Sequence, residues 1–96
     1  MQIIDYIPVG HTHAVSRKWL AAITGIPDRQ VRDMIHEAKR DTVILNLGDG
    51  YYRPDISDPV DVYELHKYVN QETARIKSTG WALKAARQMV RQIGET

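Results

Sequence analysis

SRKWLAAITGIPDRQVRDMI, residues Ser16 to Ile35, decides the fold. Ser16 is a good N-cap for a helix from Arg17 to about Thr24, because its hydroxyl can accept from a free N–H of the first turn. Gly25 ends that helix by taking a left-handed backbone at low steric cost. Ile26-Pro27 is a bent connection, and Asp28 caps a second helix that the pattern carries to about Asp41. Trp19, Leu20 and Ile23 fall at helical spacing and are expected to form the buried face of the first helix. Val31, Met34, Ile35 and Ala38 share one face of the second. The opposite face holds Arg29, Asp33, His36 and Arg40, flanked by Gln30, Arg32 and Glu37.

Outward from this pair, Val43 to Leu47 is aliphatic and β-prone. Gly48-Asp49-Gly50 is a strong turn signal, Tyr51-Tyr52-Arg53 starts a return strand, and Pro54 ends the hairpin. Strand alternation puts one of the two tyrosines inward and the other outward. Upstream, Gln2 to Ile7 is too short to be stable alone, so Ile3, Ile4 and Ile7 are expected to dock on a core. Val9 to His13 reads as a loop. Ala14-Val15 reads as a short strand that pairs with the hairpin.

Asp58-Pro59 opens a third, much longer helix. Asp58 fits the N-cap, Pro59 the first helical position, and Asp61 reinforces the N-terminal end of the helix dipole. A heptad follows. Val62, Val69, Ile76, Leu83 and Val90 are each seven apart; Leu65, Glu72, Thr79, Ala86 and Ile93 fill the companion position. An unbroken helix from Pro59 to Ile93 would be about 50 Å long. Its apolar stripe would outrun a core built from the first 57 residues. A two-stranded coiled coil with a second copy, through Val62, Leu65, Val69, Ile76, Leu83 and Val90, is the natural solution. The alternative is a break near residues 78–80, with the last segment folded back; Glu72 and Thr79 on the seam and Gly80 beside it favour that option.

A chain of 96 residues, 43% hydrophobic and 26% charged, fits one small globular domain. No apolar run approaches the ~20 residues needed to cross a bilayer. The start does not read as a secretory signal, and there is no cysteine for a disulfide or thiolate metal site. A cytoplasmic location is expected. The net charge is only +1, and residues 1–57 hold seven basic and seven acidic side chains. From Arg75 onward five basic residues stand against Glu95 alone, so the tail end is cationic.

Two helices that cross at a fixed angle need a small residue at the crossing, glycine in the turn and an aliphatic residue facing back. Ala21, Gly25 and Val31 supply these. The chain here resembles the helix-turn-helix of bacterial and phage DNA-binding proteins, and with the hairpin added it resembles the winged variety. Ile7-Pro8, Ser16-Arg17, Leu20, Thr24-Gly25, Asp28 to Arg32, Ile35 and Gly50-Tyr51-Tyr52 are similar to small winged-helix proteins of phages and prophages of Gram-positive bacteria. The resemblance covers roughly half the chain by motif. The expected fold is mostly α with a small β-hairpin wing: a winged helix-turn-helix over residues 1–57, then a long C-terminal helix over residues 58–96.

The resemblance implies binding of double-stranded DNA, as a phage-type regulator or a replication-associated factor. The second helix would enter the major groove. Arg29, Gln30, Arg32, Asp33 and His36 would face base edges there, arginine suiting guanine and glutamine adenine. Arg17 and Lys18 oppose the dipole at the start of the first helix, a placement that a nearby phosphate would offset; solubility explains them equally well. Arg53 on the wing would reach an adjacent phosphate or the minor groove. Against this, Asp33 and Glu37 repel phosphate, although Asp33 could pair with Arg29 or accept from cytosine. The rival reading is a protein-interaction adaptor, with the winged domain as scaffold and the long helix docking a replication or packaging partner. His11 and His13 have no cysteine or neighbouring carboxylate in sequence, so no metal is expected. No serine–histidine–acid set or phosphate loop points to an enzyme, and neither a cofactor nor a small-molecule substrate is expected.

Overall fold

The computed structural model describes residues 2–48 and 50–94. The chain is mostly helical, with a small sheet, and divides into two compact units, residues 1–65 and 66–96. The elements are β1 (Val15–Ser16), α1 (Arg17–Thr24), α2 (Asp28–Ala38), β2 (Leu45–Leu47), β3 (Gly50–Tyr52) and α3 (Pro59–Gln92). Short 3-10 turns at Ile3–Tyr6 and His11–His13 precede them.

Local chemistry sets the ends of α1 and α2. The Ser16 hydroxyl accepts from the Trp19 N–H at 2.9 Å. Gly25 closes α1 at φ +72°, and its N–H donates to the Ala21 carbonyl. Thr24 helps hold the turn, donating from its hydroxyl to Leu20 O and accepting from Ile26 N–H. Pro27, not Asp28, occupies the cap position of α2, and Asp28 begins the helix, where its charge suits the dipole. α2 stops at Ala38, three residues before the sequence-based end at Asp41; Lys39 to Asp41 form a turn held by N–H donors to Ile35, Glu37 and Ala38 carbonyls.

The core of the first unit is Ile3, Ile7, Leu20, Val31, Ile35 and Ile44, with Leu45 and Tyr52 also buried. Ile4, Ala21, Met34, Ala38 and Tyr51 pack against it while partly exposed. Burying each large aliphatic side chain contributes roughly 1.5–3 kcal/mol. The expected face of α1 is corrected. Leu20 is fully buried, but Trp19 is 45% and Ile23 55% exposed. The inward face runs through Leu20, Ala21 and Thr24, about 100° around the helix from the expected centre. Leu20 is the large apolar side chain that α1 contributes to the core, and the small Ala21 packs beside it, partly covered.

The sheet is antiparallel, in the order β1-β3-β2. Val15 pairs with Tyr51 and Ser16 with Gly50; on the other side Leu45, Asn46 and Leu47 pair with Tyr52, Tyr51 and Gly50. Gly50 is required by space. A Cβ built there would lie 2.6 Å from the Ala14 Cβ. Gly48 makes the turn at φ +64°. As alternation requires, Tyr52 is buried and Tyr51 is only partly covered.

α3 is unbroken through Gly80. Its residues to Leu65 belong to the first unit, where Val62 and Leu65 are half-buried. In the second unit Val69, Ile76, Leu83 and Val90 are all exposed, Ile76 by 71%. No helix among the described residues is long and apolar enough to cross a membrane.

Candidate nucleic-acid interface

α2 owes its position to three buried side chains. Leu20 of α1 meets Val31 and Ile35 of α2, and this contact fixes the opposite side of α2 toward solvent. Arg29, Gln30, Arg32, Asp33 and His36 are all exposed on that side. Among the described residues none of Arg29, Arg32 or His36 joins an ion pair, and Asp33 does not pair with Arg29. The face therefore presents three side chains with free N–H donors, one amide and one carboxylate. Arg40 and Glu37 extend it into a shallow depression with Asp33 and His36.

The three residues expected at phosphates stand differently. Lys18 is exposed. The Arg17 guanidinium donates from Nε to Asp28 Oδ1 at 2.8 Å, an exposed pair that ties the first turn of α1 to the first turn of α2. Exposed pairs are weak, so a phosphate could compete for Arg17 at small cost. Arg53 is committed to the fold. Its Nε donates to Ile7 O at 2.9 Å, its N–H donates to Pro8 O, and its carbonyl accepts from Gly10 N–H. It clamps the N-terminal segment onto the end of β3.

Ser16, Arg17, Lys18, Asp28, Asn46 and Tyr51 line a cleft where the starts of both helices meet the sheet. Asn46 was not singled out from the sequence. Its signal was its place in β2, directly opposite Tyr51.

A second cluster lies at the start of α3. Asp61 is fully buried. Its Oδ1 accepts from the His11 ring at 2.6 Å and from the His11 N–H at 3.3 Å, and its Oδ2 accepts from the Asp55 N–H at 2.8 Å. Asp58 Oδ2 lies 3.4 Å from the same ring nitrogen, while Asp58 Oδ1 accepts from the Val60 N–H. The His11 ring also meets Tyr52 edge-on. His11 has no neighbouring carboxylate in sequence; folding brings it two, from 47 and 50 residues away. Burial pushes the Asp61 carboxyl up, but the hydrogen bonds from Asp55 and His11 outweigh it and hold the group below its usual value. The ligand atoms of His11, Asp58 and Asp61 lie within 4.8 Å of one another. Both oxygens of Asp61 already have N–H partners, so the cluster works as a latch that secures the first turn of α3.

No protein-family model matches the chain, and no curated protein or solved structure matches it either.

Proposed function

We propose that this chain is a sequence-specific double-stranded DNA-binding protein built on a winged helix-turn-helix, of the kind that serves phage regulators and replication-associated factors. α1 and α2 form the helix-turn-helix, and β2 and β3 the wing. α2 enters the major groove. Arg29, Gln30, Arg32, Asp33 and His36 meet base edges, and Lys18 and Arg17 meet phosphates across the neighbouring cleft. The observation that carries this reading is the exposed row on α2, whose cations have no ion-pair partner among the described residues and which is anchored from behind by Leu20, Val31 and Ile35.

The protein acts as a homodimer through Val69, Ile76, Leu83 and Val90. Four aliphatic side chains at seven-residue spacing and without cover support the pairing. Two linked copies would gain affinity on one duplex by effective concentration.

The test is Arg29→Ala with Arg32→Ala, titrated against a duplex selected from a random pool. Each lost bidentate base contact should cost about 1–3 kcal/mol and relax selectivity at its position. Unchanged affinity and selectivity would remove α2 from the interface.

One observation favours the adaptor reading. Residues 1–65 hold seven Lys/Arg against ten Asp/Glu, a balance that works against a phosphate backbone. If the protein fails to retard any duplex at low salt, the winged unit is a scaffold for a protein partner.

A further inference from the structure

The distal part of α3 carries charge of one sign. Between Glu72 and Glu95 there is no acidic residue, and Arg75, Lys77, Lys84, Arg87 and Arg91 all fall in that stretch. Arg75 faces Glu72 at 3.4 Å. Lys77, Lys84 and Arg87 have no carboxylate partner among the described residues. At 100° per residue Lys77, Lys84 and Arg91 repeat every two turns, and Gly80 and Arg87 fall beside them, so the five occupy one side of the helix. Lys84 and Arg87, and Arg87 and Arg91, are like charges at three- and four-residue spacing, which weakens a free helix.

Gly80 sits in the middle of this row. Its backbone is helical and a Cβ there would meet nothing within 4 Å. Neither packing nor backbone conformation requires glycine, which is unfavourable in a helix interior. With no side chain and open space around it, Gly80 would let a ligand come close to the backbone. Gly80, Lys84, Arg87, Gln88 and Arg91 line a shallow depression there. Beside it the Lys77 ammonium lies 5.5 Å over the exposed Trp81 ring, so its charge stays on the surface. Two unfavourable features, repelling cations and a helical glycine, thus coincide where a polyanion would relieve the first and use the second.

We propose that the Lys77–Arg91 side of α3 is a second contact surface for the sugar-phosphate backbone of duplex DNA, with a phosphate seated over Gly80 between Lys84 and Arg87. The cations there are spaced about 4–11 Å along the axis at 1.5 Å per residue, a range that brackets successive phosphates of one strand. The seam of Val69, Ile76, Leu83 and Val90 runs along one edge of this row, beside Arg87, so a second copy on that seam leaves the Lys77, Lys84 and Arg91 edge open. The inference rests on the reading of the chain as a DNA-binding protein, and it assigns the sequence-independent share of the affinity to α3.

The test uses the full chain in three forms: wild type, Lys77→Gln with Lys84→Gln and Arg87→Gln, and Arg29→Ala with Arg32→Ala. Each is titrated with a selected duplex and a scrambled one at several salt concentrations, with helix content checked by circular dichroism. The triple variant should lose affinity equally for both duplexes, and its log–log salt slope should fall by about 2.7, three contacts at about 0.9 each. Gly80→Ala should raise helix content and weaken binding several-fold. A triple variant with the wild-type slope would overturn the inference and leave the α2 reading standing. Loss of slope in the triple variant, with an α2 variant as selective as wild type, would do the reverse. No binding by wild type at low salt would sink both. If the triple variant keeps its DNA binding but loses binding to anionic phospholipid vesicles, the stripe belongs to a membrane surface instead.

Discussion

The two units of this chain are built on opposite principles. Residues 1–65 contain every buried side chain among the described residues, and they carry three more acidic than basic groups. Residues 66–96 carry six Lys/Arg against two Asp/Glu, and among their described residues only Tyr68 and Glu72 are even half-covered. The first unit is stabilised from within, by Leu20, Val31, Ile35 and their neighbours. The second is a helix whose apolar stripe and cationic stripe both lack cover. A helix of this kind draws most of its stability from what it packs against. The contrast assigns structure to one half and unmet contacts to the other.

The largest expected effects fall in the first unit. Leu20→Ala should cost about 3 kcal/mol in chemical denaturation, because it empties a fully buried site at the α1–α2 crossing. Leu83→Ala, at an exposed site, should leave that transition in place and instead reduce any concentration-dependent association. Equal losses from the two would erase the contrast.

Asp61→Ala should cost about as much, about 3 kcal/mol, since it strands the His11 ring and two backbone N–H donors. The pH dependence has a definite sign. The folded value of Asp61 lies below the unfolded one, so its contribution is complete above about pH 3.9 and is lost as pH falls through the folded value. Asp61→Asn should flatten the acid limb of stability measured by denaturant titration between pH 5 and 2, on an order-of-magnitude scale. An acid limb identical to wild type would show that the latch carries no charge-linked stability.

Glycine gives the sharpest version of the comparison. Gly50→Ala should destabilise the first unit by about 1–3 kcal/mol, because the new methyl meets Ala14. Gly80→Ala should stabilise the free helix by up to about 1 kcal/mol, because nothing is near it. Thermal melts followed by circular dichroism would read both signs. The same sign at both positions would mean that Gly80 is packed after all.

Much of the first unit was legible in the sequence, because its signals are local. Ser16 as a cap, the left-handed Gly25, the Gly48 turn and the Asp58-Pro59 helix start each act within a few residues. The docking of Ile3 and Ile7 followed from a segment too short and apolar to stand alone. What was not legible depends on contacts distant in sequence. Spacing alone predicts an α1 face through Trp19, Leu20 and Ile23, whereas the folded chain buries Leu20, packs Ala21 beside it and leaves Trp19 and Ile23 half-exposed. Arg53 read as a wing cation, and only the folded chain shows it clamping Ile7 and Pro8. The bond between His11 and Asp61 joins residues 50 apart, and no local pattern announces it. For the candidate interface, helical periodicity sufficed to place Arg29, Gln30, Arg32, Asp33 and His36 on one exposed face. The partners of Arg17 and Arg53 were beyond its reach.

The proposed function requires the exposed face of α2 to read base sequence in duplex DNA. The most direct measurement is the ratio of affinities of the full chain for a selected duplex and for a scrambled duplex of equal length and composition, at physiological salt. The expected ratio is about 10³ or more. A ratio near one, with the protein folded, would contradict it.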